Sequence, residues 1–378
     1  MNILVNALGI SDSGGVKVLE KFVNDCLYVK SDKYFIFIFS NQNAFEYFKN
    51  KFEEYDIFDF RHKKVANFFT RLCYENIYFK KIIKLNNVDL IYNFSGTSQI
   101  FLKKPQLVKM HNLLFYSKKL DKRYINKFNF LLWIKQVYMK ALVYRLMLNA
   151  SDKIEIQSSH VADSISRFIS LKKKKIYIKS DINIMSSEFT KIKSYDFSKK
   201  IKFLYIIGPH FEYPHKNFSD FVETMHCLIN SGLNLEINIT LSKKQLQNSS
   251  YWNSSLNPYT NFYGYLGDDA ELVKLFTDNT ILISTSIIET LGLHVIEAIK
   301  NGIISVVPNE NYSREVYGEN MIFYDLFNIE SLSKVILSTI KTPNSISDKI
   351  DQQRSYLIEN ESKKYKNMND IFNKINNV

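Results

Sequence analysis

The stretch Ile281–Pro308, ILISTSIIETLGLHVIEAIKNGIISVVP, constrains the fold more than any other part of the chain. It reads as a buried strand (Ile281–Thr285), a turn (Ser286–Gly292), a helix (Leu293–Asn301) and a second buried strand (Ile303–Val307). Gly302 ends the helix, since a left-handed residue is cheapest there, and Pro308 closes the second strand because it has no N–H for a ladder. That is one βαβ unit of a parallel sheet. Ligands of such sheets bind beyond the carboxyl ends of the strands, so the turn and the first helical turn border a crevice. Free N–H groups at Leu291, Gly292 and Leu293, with the helix dipole, favour an anion such as phosphate. Glu289 precedes the helix and Glu297 lies on it, with seven residues between them.

Two glutamates so spaced are ordinary on a helix, but here they stand in a longer pattern. The run from Ser286 to Pro308, S-x-x-E-T-L-G-L-x-x-I-E-A-x-x-x-G-x-x-x-V-x-P, resembles the donor-site signature of family 4 glycosyltransferases, a retaining family with the GT-B fold. Further matches follow its order: Ser13-Gly14-Gly15, Lys109-Met110-His111-Asn112, Pro214-His215-Lys216-Asn217 and Tyr312-Ser313-Arg314-Glu315-Val316. The resemblance spans most of the chain and is strongest over residues 201–325. It implies an α/β chain of two Rossmann-like, doubly wound domains facing across a cleft. It also implies a nucleotide-sugar donor held mainly by the second domain.

Length and composition agree with that size of fold. The 378 residues suffice for two ordinary domains, and 46% hydrophobic with 15% aromatic content marks a globular chain. Cys26, Cys73 and Cys227 are odd in number and lack metal spacing, so buried reduced cysteines and a cytoplasmic location are expected. The start, MNILVNALGI, reads as a first strand, not as a leader. No apolar run approaches the roughly 20 residues that span a bilayer. The longest, Phe128–Ala150, is broken by Lys135, Lys140 and Arg145.

The net charge of +12 is concentrated in residues 101–150, where nine lysines and two arginines meet one acid, Asp121. Such a patch asks for an anionic partner. Within it, Lys118, Lys119, Lys122, Arg123 and Lys127 share one side of a helix, opposite Leu120, Tyr124, Ile125 and Phe128. Two readings stand: a membrane-facing interfacial helix, or a surface helix packed on its own domain with lysines in water. Aromatic and basic residues do not interleave on a recognisable module, so nucleic acid is not an expected partner.

The first half alternates strands at Ile3–Leu8, Tyr34–Phe39, Val88–Tyr92, Leu107–Met110 and Lys153–Ile156 with helices. Gly14 and Gly15 lie in the first turn after a strand, where backbone can approach a ligand closely. His111 falls at a strand's carboxyl end, structural or functional on its own terms. The resemblance places it against the donor sugar, and the Gly14-Gly15 loop over the donor diphosphate or sugar. A polar stretch, residues 181–200, reads as the link between domain 1–180 and domain 201–344, and 345–378 as a terminal helix returning to the first domain.

In the second half, Lys216 sits at a strand-to-helix turn, where an ammonium neutralises a diphosphate. The family pairs this lysine with an arginine a few residues earlier, and here none is present. His210, His215 or an arginine from elsewhere are the candidates to replace it. The resemblance further implies that Glu289 holds the transferred sugar's hydroxyls and Glu297 the ribose. Thr290, Leu291, Gly292 and Leu293 would line the diphosphate, with Gly264 and Leu266 at the base. Asp268-Asp269 reads as a helix cap. No metal and no resident cofactor are implied, the nucleotide-sugar being a co-substrate.

The expected activity is retaining transfer of a hexose-type sugar to a saccharide acceptor. The acceptor, lipid-linked and bound on the first domain, would belong to cell-surface polysaccharide synthesis (O-antigen, capsule or similar) at the inner membrane face. The rivals are a GT-B sugar-nucleotide epimerase and a non-catalytic nucleotide-sugar-binding subunit, the latter favoured by the absent arginine.

Overall fold

The computed structural model describes residues 1–10, 13–28, 33–65, 67–110, 117–126, 130–182, 184–266 and 269–376. The chain divides into two compact units: Met1–Tyr116 with Phe130–Ile182 and Lys364–Val378, and Ser117–Asn129 with Asn183–Lys363. Each is a parallel sheet flanked by helices.

The first unit contains β1 (Asn2–Ala7), β2 (Tyr34–Phe39), β3 (Phe58–His62), β4 (Leu90–Asn93), β5 (Gln106–Met110), β6 (Lys153–Ile156) and β7 (Lys175–Ile178). Their order in the sheet is β3-β2-β1-β4-β5-β6-β7. The chain starts in the middle, builds toward β3, and then crosses to β4, so the winding reverses between β1 and β4. Strands such as YFIFIF are apolar on both sides because helices cover both faces. Phe22 of the helix Ser13–Tyr28 packs on Phe35, Phe37 and Tyr92. β3, with sequence FDFRH, was not foreseen; it is the edge strand, and its Asp59 and Arg61 pair with each other.

The second unit contains β8 (Ile201–Tyr205), β9 (Leu235–Ile239), β10 (Thr260–Phe262), β11 (Thr280–Ile283), β12 (Ile304–Pro308) and β13 (Ile322–Tyr324). Their order is β10-β9-β8-β11-β12-β13, so here the winding reverses between β8 and β11. The anticipated βαβ unit is present as β11, the helix Leu293–Lys300 and β12, paired in parallel. Gly302 adopts φ +70°, and a Cβ there would strike the backbone of Lys191 and Ile192. Residues 191–197 thus belong to the second unit's body, with Ile192, Tyr195 and Phe197 against its core.

The tail departs from the single helix expected for 345–378. The helix Ile346–Ser362 belongs to the second unit, where Arg354 donates to the carbonyls of Thr190, Ile299 and Lys300. The helix Met368–Asn376 belongs to the first, with Phe372 beside Phe22, Phe35 and Tyr92. Between them Tyr365 N–H donates to the Ile178 carbonyl at 2.9 Å, extending the β7 edge and breaking the helix.

The basic helix also takes a different place. Lys118–Asn126 groups with the second unit and lies beside the turn Pro214–Lys216. On its apolar side Leu120 and Tyr124 are buried. Lys119 pairs with Glu310, and Arg123 donates to Ser219 and lies over the Phe327 ring. These contacts favour the packed surface helix over the membrane-facing one. Lys118 and Lys122 occupy the same helix, and Lys127 lies outside the described residues.

Candidate active site

Two strand-to-helix crossovers of the second unit meet at the point where its winding reverses. After β8 the chain runs to a short 3-10 turn, Pro214–Lys216, and Asn217 takes a left-handed conformation (φ 49°) before the helix Phe218–Asn230 begins. After β11 it runs through residues 284–292 to a second left-handed residue, Gly292 (φ 56°), which opens the helix Leu293–Lys300. A Cβ at Gly292 would overlap the Tyr317 hydroxyl, so glycine is required there for space as well as for φ. Hydrogen bonds lock the two crossovers together. Ile287 N–H donates to the His215 carbonyl at 2.7 Å, and Thr285 Oγ1 to the Lys216 carbonyl at 2.8 Å. Tyr205 and Thr285 share a 2.7 Å bond beneath them, and Tyr312 donates to the Ser286 carbonyl at 2.6 Å.

This framework brings Lys216 and Glu289 into an ion pair, Nζ to Oε1 at 2.6 Å, with the side chains 25% and 18% exposed. The resemblance gave the two residues separate roles, on diphosphate and on sugar; the structure places them within one bond of each other. Burial by itself would raise the Glu289 carboxyl, but Lys216, aided by His294, outweighs it and holds the group at about 2. Glu289 is therefore a fixed anion and a hydrogen-bond acceptor, not an acid.

His294, in the first turn of the helix, was not singled out in the sequence. Its Nε2 lies 3.0 Å from Ser284 Oγ, and burial lowers its pKa to about 4. His215 is lowered likewise to about 4, by burial and then by Lys216. Both imidazoles are neutral at pH 7, so His215 does not replace the absent arginine as a cation. His210 is exposed and stacks on Tyr213. The second unit's three arginines are committed elsewhere: Arg123 to Ser219, Arg314 to Asn309 and Glu319, Arg354 to backbone carbonyls.

The remaining expected residues fall as follows. Leu291 and Gly292 are buried, Leu293 is exposed, and no hydrogen bond from their N–H groups is seen among the described residues. Thr290 borders the same turn. Glu297 lies farther along the helix, half-exposed, 3.6 Å from Lys300. Gly264 (φ 72°) and Leu266 follow β10, between the exposed rings of Tyr263 and Tyr265 and the undescribed residues 267–268. In the first unit Gly14 and Gly15 are inside the first turn of the helix Ser13–Tyr28, and His111 lies outside the described residues. Lys109, one of the matched residues, is buried and paired with Glu155 at 2.6 Å and Asp181 at 2.7 Å, a structural position.

Residues 191–364, which include both crossovers, match the family model described as glycosyl transferases group 1. None of the curated protein sequences matches this chain. Among solved structures, the chain is similar to a sucrose-phosphate synthase from Thermosynechococcus elongatus, with 12% identity and a TM-score of 0.66 over 100% of this chain and 98% of that one. It is similar to WaaG, a glycosyltransferase involved in lipopolysaccharide biosynthesis, with 10% identity and a TM-score of 0.64 over 94% and 95%. It also resembles the lipopolysaccharide outer core galactosyltransferase WaaB, with 16% identity and a TM-score of 0.60 over 95% and 99%. The two parallel α/β units are those of the GT-B fold.

Proposed function

We propose that this glycosyltransferase moves a sugar from a nucleotide-sugar donor to a saccharide acceptor, with retention of configuration, as a family 4 enzyme. The observation that carries this reading is the Lys216–Glu289 pair at the reversal between β8 and β11, the place where open α/β sheets bind their ligands. Lys216 and the N–H groups of Leu291–Leu293 would take the donor diphosphate, whose charge grows as the sugar departs, so stabilising it there lowers the barrier. Glu289, held ionised, accepts hydrogen bonds from sugar hydroxyls. Glu297 meets the ribose, and Gly264 with Leu266 borders the base. Retention follows from attack on the leaving-group face, with a donor phosphate oxygen taking the acceptor's proton, so no further base is needed.

The acceptor in this reading is a lipid-linked saccharide of cell-surface polysaccharide synthesis, met at a membrane surface. The support comes from residues 130–149, a helix with a π turn at Ile134–Tyr138. Leu131, Tyr138, Leu142 and Leu146 are 82%, 54%, 47% and 54% exposed along one side of it. Residues 122–151 contain no acid, and this combination suits an anionic lipid surface. Among the described residues no helix is long and apolar enough to cross a membrane.

The test is thermal stabilisation by UDP-, GDP-, dTDP- and CMP-sugars without metal. One nucleotide class should raise the melting temperature saturably, and Glu297→Ala should weaken the effect. Stabilisation unchanged by Glu297→Ala, or none with any donor, would overturn the donor site.

A further inference from the structure

In the first unit the winding reverses between β1 and β4, and a guanidinium stands at that point. Arg71 lies on the helix Phe68–Cys73, which continues into a π-helical turn, Tyr74–Tyr78. Such turns carry strain and recur at functional sites, and this one aims Glu75 into the protein. Glu75 is fully buried. Its Oε1 accepts from Asn6 of β1 at 2.9 Å, from Arg71 Nε at 2.8 Å and from Thr97 Oγ1 at 3.2 Å. Its Oε2 has no hydrogen-bond partner among the described residues. Arg71 Nη2 donates to Thr97 at 2.6 Å. One edge of the guanidinium is thus fully engaged. Nη1, at the other end, lies against exposed Gly9 in the loop after β1, and no hydrogen bond from it is seen among the described residues. Gly9 is itself fixed, donating to Ser95 Oγ at 2.8 Å in the loop after β4. The helix Ser13–Tyr28 begins four residues beyond Gly9, with no acid in its first turn.

We infer that Arg71 is a phosphate-binding residue, its Nη1 end receiving a phosphate oxygen of a substrate at the loops after β1 and β4, with Glu75 and Thr97 as positioning residues. The geometry is that of a preorganised fork, since a guanidinium already held by a buried carboxylate loses little freedom when it binds. The carboxyl end of the strands at a winding reversal is where a ligand is expected. A phosphate is the matching oxyanion because Arg71 presents a charged donor, the helix dipole adds positive potential, and the carboxylate charge is spent on the engaged edge. The proposal rests on the proposed function only for what carries the phosphate, a nucleotide or a lipid-linked acceptor.

Two variants of the full chain test it. Gly9→Ala places a methyl 2.7 Å from Nη1 and 3.0 Å from Ser95 Cβ, so it crowds the guanidinium's unengaged end and the Ser95 contact without removing the cation. Arg71→Gln with Glu75→Gln removes the cation without leaving a buried anion. Titrations with inorganic pyrophosphate, UDP and geranyl diphosphate should show at least one probe bound about tenfold to a hundredfold more weakly by both variants. Loss on UDP assigns the phosphate to the donor; loss on geranyl diphosphate alone assigns it to the acceptor. Pyrophosphate binding that depends on Arg71 in a protein that binds no nucleotide would sustain this site and reject the nucleotide-sugar reading. If both variants fold and bind all three probes as the wild type does, Arg71 is structural only.

Discussion

Replacing Lys216 by methionine keeps most of the side chain's stem and removes its charge, so the consequence can be worked from Glu289. That carboxyl is held at about 2 against an ordinary 4.5. At about 1.4 kcal/mol per unit, the ionised form gains about 3 kcal/mol in the folded protein. A group with a depressed folded pKa stabilises above its unfolded value, and the contribution is lost as pH falls from about 4.5 toward 2. Without Lys216, burial dominates and pushes the same carboxyl upward, so the sign reverses. Lys216→Met should therefore cost at least about 3 kcal/mol at pH 7, and the gap to wild type should narrow as pH falls through 4. Lys216→Met with Glu289→Gln removes the stranded charge and should recover most of that loss. The chain has two tryptophans, Trp133 in the first unit and Trp252 in the second, where Trp252 stacks on Phe218 just beyond the Lys216 turn. In a Trp133→Phe background, urea unfolding followed by Trp252 fluorescence reports on the relevant unit. Equal stability of the single and double variants at pH 7, or a gap that does not move with pH, would refute the argument. Turnover should fall at least a hundredfold in both, because neither leaves the diphosphate its ammonium.

Gly292→Ala should destabilise the second unit by about 2 kcal/mol or more, from the positive φ and the collision with Tyr317, and melting curves would show it. Lys109→Met leaves Glu155 and Asp181 buried around a missing cation, so a loss of about 3 to 5 kcal/mol is expected in urea unfolding. Leu131→Ser with Leu142→Ser should cut sedimentation with phosphatidylglycerol vesicles by at least about tenfold, given about 1.5 kcal/mol or more for each leucine removed from lipid. Arg123→Ser, on a side chain already engaged by Ser219, should leave sedimentation unchanged. Undiminished sedimentation of the leucine variant would reject that face as the membrane contact.

Most strands of both sheets were legible because a parallel sheet covered on both faces spells nearly unbroken apolar runs, as in Tyr34–Phe39 and Thr280–Ile283. What pattern reading lost were positions where burial and polarity part company. β3 alternates Phe with Asp and Arg, so the edge of the sheet looked like a loop. Lys109, Glu155, Lys179 and Asp181 look like solvated charges in sequence, yet they neutralise one another inside the first unit. The basic helix 118–126 has the periodicity of an interfacial helix, and periodicity alone does not say whether lipid or protein covers Leu120 and Tyr124.

The two reversal points differ in how much of them a sequence can reveal, and the reason is chain distance. In the second unit Glu289, Gly292 and His294 sit on one short crossover, so a local pattern carries most of the site and Lys216 needs only the preceding turn. Around Arg71 the contributing residues are Gly9, Glu75, Ser95 and Thr97, with Asn6 beneath, gathered from two strand ends and a helix that follows an edge strand. Arg71 and Glu75 sit at the ordinary i,i+4 spacing of a surface helical pair, so nothing local marks Glu75 as buried. The same winding rule that points to Lys216 in one sheet points to Arg71 in the other.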